Sequence, residues 1–417
     1  MKLFIKIFLV SFILPSYISM YGYGEYVKDN YSNSFFITEP SNYFNQNAFS
    51  SIWDDTESLF SVQYNFKSTA INSAALHNSY LAALSYTFPI KKMNYCTIGF
   101  NPYTISDASF YSSQYSYLPV DEISSLTSPL AYNAIYENNG GISEMYINFS
   151  QKLSSKFSLG LKCSILFGNL EQNKRIRLYD LDYSFSDQDD ILVDYTIKDS
   201  ILINSTNEYK GYGFQLESKY ELDKFDFFIS GTYNFPLKVK SKFFFNQNIG
   251  DMQNLEQIQT YFQPNQEVTY NHDAFLKNIY IGARYKLNQT QSLLIKGECQ
   301  KSFNYNSNSM YKTDPSIYSI NLLFDSYSRI LTISNLNYTN YKIGFFYRQM
   351  KNIGNVDYDY GLSVEYGARL INKNYFSIFL RMGNKSHNYI ELDNEEYYLV
   401  GLRLENIEKW FLKGVKE

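Results

Sequence analysis

One feature constrains this chain more than any other: apolar and polar residues alternate with period two over runs long enough to cross a bilayer. In residues 157–168, Phe157, Leu159, Leu161, Cys163, Ile165 and Phe167 share one face, and Ser158, Gly160, Lys162, Ser164 and Gly168 share the other. In residues 59–66, Phe60, Val62, Tyr64 and Phe66 alternate with Ser61, Gln63 and Asn65. Residues 279–287 set Ile279, Ile281, Ala283, Tyr285 and Leu287 against Tyr280, Gly282, Arg284 and Lys286, and residues 361–370 repeat the pattern. Side chains recur on one face of a strand every second residue, and on one face of a helix every 3.6 residues, so these runs are strands.

A soluble β-sandwich also alternates, but two properties separate the cases. Strands of globular proteins average about 5–6 residues, whereas a tilted strand needs about 9–11 to cross a membrane. The expected strands here are 57–66, 78–88, 93–103, 142–151, 155–169, 209–221, 223–245, 276–287, 290–301, 317–333, 337–349, 357–370, 374–384 and 394–405. Most are ten residues or longer. Strand 317–333 alternates poorly and its register is not set by the sequence. The connections are the second property. Short links follow every even strand, and longer ones, such as 104–141, 170–208 and 246–275, follow every odd strand. Short periplasmic turns and long outer loops are the habit of outer-membrane barrels. The expected fold is an all-β, transmembrane, antiparallel up-and-down barrel of about 14 strands spanning 57–405.

Composition agrees and excludes other classes. Mean hydropathy is −0.34, too low for a bundle of apolar helices, and after residue 20 no stretch approaches the ~20 apolar residues of a spanning helix. Tyr (42) and Phe (33) are abundant, but both are favoured by AT-rich codons, so the count decides little. A net charge of −4, from 37 basic and 41 acidic residues, gives no electrostatic footing for nucleic acid. The inward faces carry Lys162, Glu217, Lys219, Arg284, Lys296, Glu298, Lys342, Arg348, Glu365, Arg369, Arg381 and Arg403. At mid-bilayer a lipid-facing charge costs about 2–4 kcal/mol, so these belong in the lumen, where a salt-bridge network can fill it.

Residues 1–20, MKLFIKIFLVSFILPSYISM, place Lys2 and Lys6 before an apolar core from Leu3 to Leu14. That is the form of a secretory signal peptide. Residues 21–56 then precede the first strand, and 406–417 form a short periplasmic tail.

Catalytic and metal signatures are missing from the sequence. His77, His272 and His387 all fall in expected loops, with no H-E-x-x-H and no phosphate-binding loop. Seven aspartates, from Asp180 to Asp199, crowd the loop 170–208, but the D-x-D-x-D-G order of a calcium loop is not there. Cys96, Cys163 and Cys299 lie on apolar faces of non-consecutive strands, so no disulfide is expected. Neither an enzyme, a metal site nor a cofactor is expected.

The segment GYGEYVKDNYSNSFFITEPSNYFNQNAFSSIWDD, the third strand TIGFNPYT, the strand EYGARL and the ending LRLENIEKWFLKG together resemble the FadL-like outer-membrane barrels, the long-chain fatty-acid and hydrophobic-compound transporter superfamily. The closer likeness is to a divergent Bacteroidetes-type branch. The resemblance implies a 14-stranded barrel in the outer membrane of a Gram-negative bacterium, with residues 21–56 as a hatch inside the lumen. Tyr21, Gly22, Gly24, Pro40 and Tyr43 mark that hatch, although the Gly/Ala-rich hatch and N-P-A motif of the family are reduced here to Gly22, Gly24 and Glu39-Pro40-Ser41. It also implies a lateral exit at a kinked third strand, here Gly99, Asn101, Pro102 and Tyr103. Proline cannot donate to a ladder, so pairing must lapse or bulge at Pro102. The bland alternative is that Pro102 only ends the strand.

Three functions compete on the sequence. The first is passive transport of hydrophobic or amphipathic small molecules, with Phe110, Tyr111, Phe244 and Phe262 among loop aromatics that could line an apolar pocket. The partners are then outer-membrane lipid and a hydrophobic ligand. The second is a barrel that does not transport but anchors another protein through its outer loops, as in secretion systems. The third is a general diffusion porin, disfavoured by long inward charges and a plug-length N-terminal segment. Export by the signal peptide predicts a mature chain that starts between residues 20 and 23. Mass analysis of outer-membrane material should find that terminus, and finding Met1 instead would refute it.

Overall fold

The computed structural model describes residues 25–26, 58–71, 74–91, 94–111, 116–117, 130–185, 191–249, 266–272, 277–288, 290–301, 316–332, 335–352, 355–369, 374–386 and 394–408. The expected signal peptide and hatch markers lie outside these residues. Within them every regular element is a strand: β1 (Glu25–Tyr26), β2 (Ser58–Ile71), β3 (Ala74–Lys91), β4 (Asn94–Tyr111), β5 (Ser116–Tyr117), β6 (Leu130–Lys152), β7 (Phe157–Phe185), β8 (Ile191–Glu221), β9 (Phe225–Asn234), β10 (Leu237–Ile249), β11 (Gln266–His272), β12 (Lys277–Lys286), β13 (Gln291–Lys301), β14 (Ser316–Thr332), β15 (Asn335–Asn352), β16 (Asn355–Arg369), β17 (Asn374–Ser386) and β18 (Glu395–Glu408).

Neighbours in sequence pair antiparallel, and β18 closes on β2 from Glu395↔Ile71 to Glu408↔Ser58. The result is a closed barrel of 14 spans. β9 and β10 make one span and β11 and β12 another. β9 pairs β8 and β12 on the short-turn side, and β10 pairs β8 and β11 on the long-loop side. Phe235-Pro236 separates β9 from β10 and shifts the alternation by one residue. Asp226, Phe228, Ser230, Thr232 and Asn234 are buried before it, and Leu237, Val239 and Ser241 after it. Proline's missing N–H makes this break easier than continuation.

Facing follows the sequence. Phe60, Leu161, Ile279, Ile281, Leu362, Val364, Ile378 and Val400 are exposed on the outside, while Lys162, Glu217, Lys219, Arg284, Lys342, Arg348, Glu365, Arg381 and Arg403 are buried inside. An apolar outer wall with a polar interior is the arrangement of a barrel solvated by lipid, and closed barrels of this type span Gram-negative outer membranes. β14 has a defined register after all. Ile320 sits opposite Gly297 and Tyr347 and, like Leu322, faces out, with Ser319 and Asp325 inside. Apolar Ile317 and Leu323 are buried on its inner face, which is why its alternation reads poorly.

The region 170–208, expected as a loop, is mostly strand. β7 and β8 stay paired up to Phe185↔Ile191. Above the bilayer a hairpin needs no apolar outer face, so polar composition there does not end a strand.

The lumen is filled by its own charges. Lys342 and Arg403 each lie 3.5 Å from a Glu365 oxygen, and Arg348 and Arg381 reach Asp359 at 3.5 and 3.9 Å. Tyr397 donates to Asp359 at 2.8 Å, Arg403 donates to Gln63 at 2.9 Å, and the Arg381 guanidinium stacks 3.7 Å over Phe346. Tyr280 donates to Glu217, and Lys296 stands 4.4 Å over the Tyr280 ring. A lumenal position is therefore as occupied as a core position.

Ile281 is 59 % exposed on the outer face at mid-strand. Ile281→Arg should lower stability in phospholipid vesicles by about 2–4 kcal/mol, and Ile281→Leu should stay within about 0.5 kcal/mol. Denaturant titration of folding into vesicles measures both, and equal small losses would mean that Ile281 does not face lipid.

Candidate functional site

The barrel wall is interrupted between β3 and β4. Their ladder runs from Lys91↔Asn94, beside the short turn, to Leu84↔Phe100, and goes no further. Residues 74–83 of β3 stay paired to β2, while β4 beyond Phe100 pairs with β6 and, at Thr104 and Ile105, with Tyr26 and Glu25 of β1. Among the described residues, no ladder joins 74–83 to 101–111.

Each strand bordering the interruption carries an irregularity. On β3 the register against β2 jumps from Gln63↔Ala83 to Tyr64↔Leu81, so that Ala82 bulges and is fully buried. On β4 the register against β6 jumps from Pro102↔Ser143 to Thr104↔Ile142, so that Tyr103 bulges. A bulge adds a residue to one strand, bends it and increases its local twist. β6 accommodates this bend at Gly140 and Gly141, whose φ angles of +116° and +152° suit glycine. A Cβ on Gly141 would lie 2.2 Å from the Thr104 carbonyl oxygen, so the backbones of β4 and β6 approach here more closely than a side chain permits.

The polar members of the site sit just below the bulge, on the lumenal face. Asn101 is buried and donates to Glu144 Oε2 at 3.2 Å, while Glu144 Oε1 lies 2.8 Å from Lys162 Nζ. Lys162 also stands 4.6 Å over the Tyr146 ring. Gly99 makes room for that ring: a Cβ there would lie 2.2 Å from Tyr146 Cζ.

Above this polar layer the lumen turns apolar. Tyr103, Ile142, Leu166, Leu170, Tyr209, Leu237 and Val239 form one buried cluster. Asn234 donates to the Tyr103 hydroxyl at 2.9 Å, tying the bulged residue to the break at Phe235-Pro236 across the lumen. This contiguous apolar patch, in a barrel whose inner surface is otherwise a mixture of paired charges, polar groups and scattered apolar side chains, is a place for an apolar group to dock. Its member Tyr103 stands on β4, which borders the interruption, beyond the point where the β3–β4 ladder ends.

The structure thus brings together Gly99, Asn101, Pro102 and Tyr103, the expected third-strand residues. Tyr21, Gly22, Gly24, Pro40, Tyr43 and Phe262 lie outside the described residues. Phe110 and Tyr111 continue β4, opposite Tyr136 and Ile135 of β6. Phe244 stands on the outer face of β10, 42 % exposed, away from the apolar cluster. Sequence reasoning missed Glu144, Tyr146, Leu166, Leu170, Leu237 and Val239. One signal was available: Leu166 breaks the alternation of 157–168 by standing where a polar residue belongs.

A solved structure of a Pseudomonas aeruginosa FadL homologue matches this chain with a TM-score of 0.52 at 11% identity, covering 96% of this chain and 100% of its own. The fold is that of the FadL-like barrels. The monoaromatic hydrocarbon channel CymD (TM-score 0.48, 11% identity, 88% and 93% covered) and the Ralstonia pickettii toluene transporter TbuX (TM-score 0.43, 9% identity, 84% and 89% covered) are similar more distantly. No protein-family model matches the chain, and no curated protein does. The third span, β4, is one of several irregular strands in this barrel, with its register shift at Pro102/Thr104.

Removing one partner of a buried ion pair strands the other in a medium of low dielectric. Glu144→Ala should therefore destabilise the barrel by about 3–5 kcal/mol, and adding Lys162→Met should recover most of that loss. Denaturant titration in vesicles would show it, and a single variant as stable as the wild type would mean that Lys162 is not held by Glu144.

Proposed function

We propose that this barrel passes hydrophobic or amphipathic small molecules of fatty-acid type passively across the outer-membrane surface, with the β3–β4 interruption as their exit. The observation that carries this reading is the missing β3–β4 ladder beside Tyr103, the member of the apolar lumenal cluster on β4. A hydrophobic molecule that enters from outside must cross a hydrated saccharide layer, then leave water for hydrocarbon. The Tyr103–Val239 cluster offers an apolar station, and the gap above Leu84↔Phe100 opens sideways toward the acyl chains. The buried charges around Glu365 and Asp359 occupy the axial route, which favours lateral over axial passage and speaks against a general porin. Residues 21–56 act as the hatch in this scheme, and the pairing of Glu25 and Tyr26 with β4 supports a hatch that touches the exit.

Pro102 is the residue to test. Pro102→Val should let β4 extend its pairing and slow uptake of a fluorescent long-chain fatty acid by cells that depend on this barrel, while heat-modifiable gel mobility shows normal folding. An unchanged rate in a folded variant would leave Pro102 as a strand-end residue only. A purified barrel that carries a stoichiometric protein and no acyl lipid would favour the anchoring function instead, and large stable conductance in planar bilayers would favour the porin.

A further inference from the structure

On the outer wall, a quarter-turn from the interruption, sits a group of cations with no role in the passage just described. Lys210 of β8 and Lys238 of β10 are directly opposite each other across their ladder, both exposed and both facing out. Like charges in that position repel and destabilise the pair. Lys240 and Lys242 follow on the same face of β10, opposite Glu208 and Thr206. Lys240 reaches Glu267 of β11 at 2.7 Å, Lys242 stands directly opposite the same Glu267 in the β10–β11 ladder, and Glu208 stands beside Lys240, so four lysines meet two glutamates. On β7, one strand further along, Glu171 and Arg175 face out with opposite signs. Among the described residues, Lys210 and Lys238 have no acidic partner.

Their height on the barrel is fixed by counting. Tyr220 pairs with Phe157 at the short turn, ten residues from Lys210 along β8. At ~3.4 Å per residue and a tilt of ~40°, that is a rise of about 25 Å, the height of the apolar band. Lys210 and Lys238 therefore stand at the outer rim of that band. Directly beneath them the outer face is aromatic. Tyr212 is 64 % exposed, and Phe214, Tyr233 and Phe235 form a connected set with ring centroids 5.3–6.1 Å apart. Paired cations above an aromatic, lipid-facing platform match one kind of molecule: an amphiphile with an anionic head at the outer rim and acyl chains below it.

We propose that Lys210, Lys238 and Lys242, with the Tyr212–Phe214–Phe235 platform, bind the phosphorylated headgroup and acyl chains of an outer-leaflet glycolipid. The phosphate bridges the opposed lysines and removes their repulsion, which accounts for two adjacent unpartnered cations at this level. The site is independent of transport, because none of its residues lines the lumen.

The test uses the full barrel in neutral detergent micelles, with fluorescent bisphosphorylated lipid A as the probe. The combined variant Lys210→Gln, Lys238→Gln, Lys242→Gln keeps side-chain length and removes charge. Each cation near an anionic lipid surface contributes roughly a fivefold gain, so the variant should bind roughly a hundredfold more weakly. Lys224→Gln, at an exposed turn on the opposite rim, should bind as the wild type does. Dephosphorylated lipid A should bind as weakly as the lysine variant, and inorganic phosphate should not compete at equal phosphate concentration. Added salt should weaken wild-type binding, which tests the proposal even if the triple variant fails to fold. Unchanged binding by a folded triple variant, equal binding of dephosphorylated lipid A, salt-independent binding, or full competition by inorganic phosphate would each overturn it.

Discussion

The structure depends first on backbone hydrogen bonding in hydrocarbon. Lipid offers no donor or acceptor, so an unpaired N–H or C=O in the bilayer costs several kcal/mol, and a sheet there must close on itself. The β18–β2 ladder meets that demand over its whole length, from Glu395↔Ile71 to Glu408↔Ser58. Against this background an interruption in the wall is informative. The β3–β4 ladder stops at Leu84↔Phe100, and the free edge of β4 is taken up in part by β1. A gap of this kind persists only where the surrounding geometry imposes it. Here Pro102 cannot donate, Tyr103 adds a residue to its strand, and Gly140-Gly141 lets β6 follow the bend.

The second break, at Phe235-Pro236, works with the first. By shifting the alternation one residue, it turns Leu237 and Val239 inward, where unbroken alternation would have directed them to lipid. Those two residues complete the apolar cluster around Tyr103. The lumen acquires its apolar station from an irregularity on one strand, and its opening from an irregularity on another. The Asn234–Tyr103 hydrogen bond joins the two.

The barrel was legible in the sequence because lipid solvation imposes a strong pattern. Ile279, Ile281, Leu362 and Val364 had to face out, and Arg284, Glu365 and Arg403 in. That pattern fades where its cause does. Above the bilayer the outer face of β7 can carry Glu171, Asn173 and Arg175, so the sequence pattern of a spanning strand ends near residue 170 although the strand itself continues. The third-strand irregularity was legible through Pro102, whose missing donor is a local property. Its partners were not. The apolar cluster gathers residues from β4, β6, β7, β8 and β10, and only the register brings Leu166, Tyr209 and Leu237 to one level. The ion pair of Glu144 with Lys162 likewise depends on pairing across β6 and β7.

The buried lumenal charges raise a question of energetics that the register answers. Desolvating an ion pair costs about as much as its attraction returns, so pairs such as Lys342–Glu365 and Lys162–Glu144 add little net stability over an apolar filling. Their contribution is selective. If a strand slipped by one residue against its neighbours, its inner set would turn to lipid and its outer set to the lumen. With an apolar lumen such a slip would be nearly free, because both faces would suit hydrocarbon. On β15, the same slip would carry Lys342 and Arg348 to the lipid face, at a cost of about 2–4 kcal/mol for a basic charge near mid-bilayer, and on β16 it would carry Asp357, Asp359 and Glu365 there at a smaller cost each. The charges therefore fix the register that every cross-strand feature of the site requires. Around Tyr103, Leu166 and Leu237 the lumen is apolar and this control is relaxed, and there Pro102, the glycine pair and Pro236 hold the strands in place by backbone geometry.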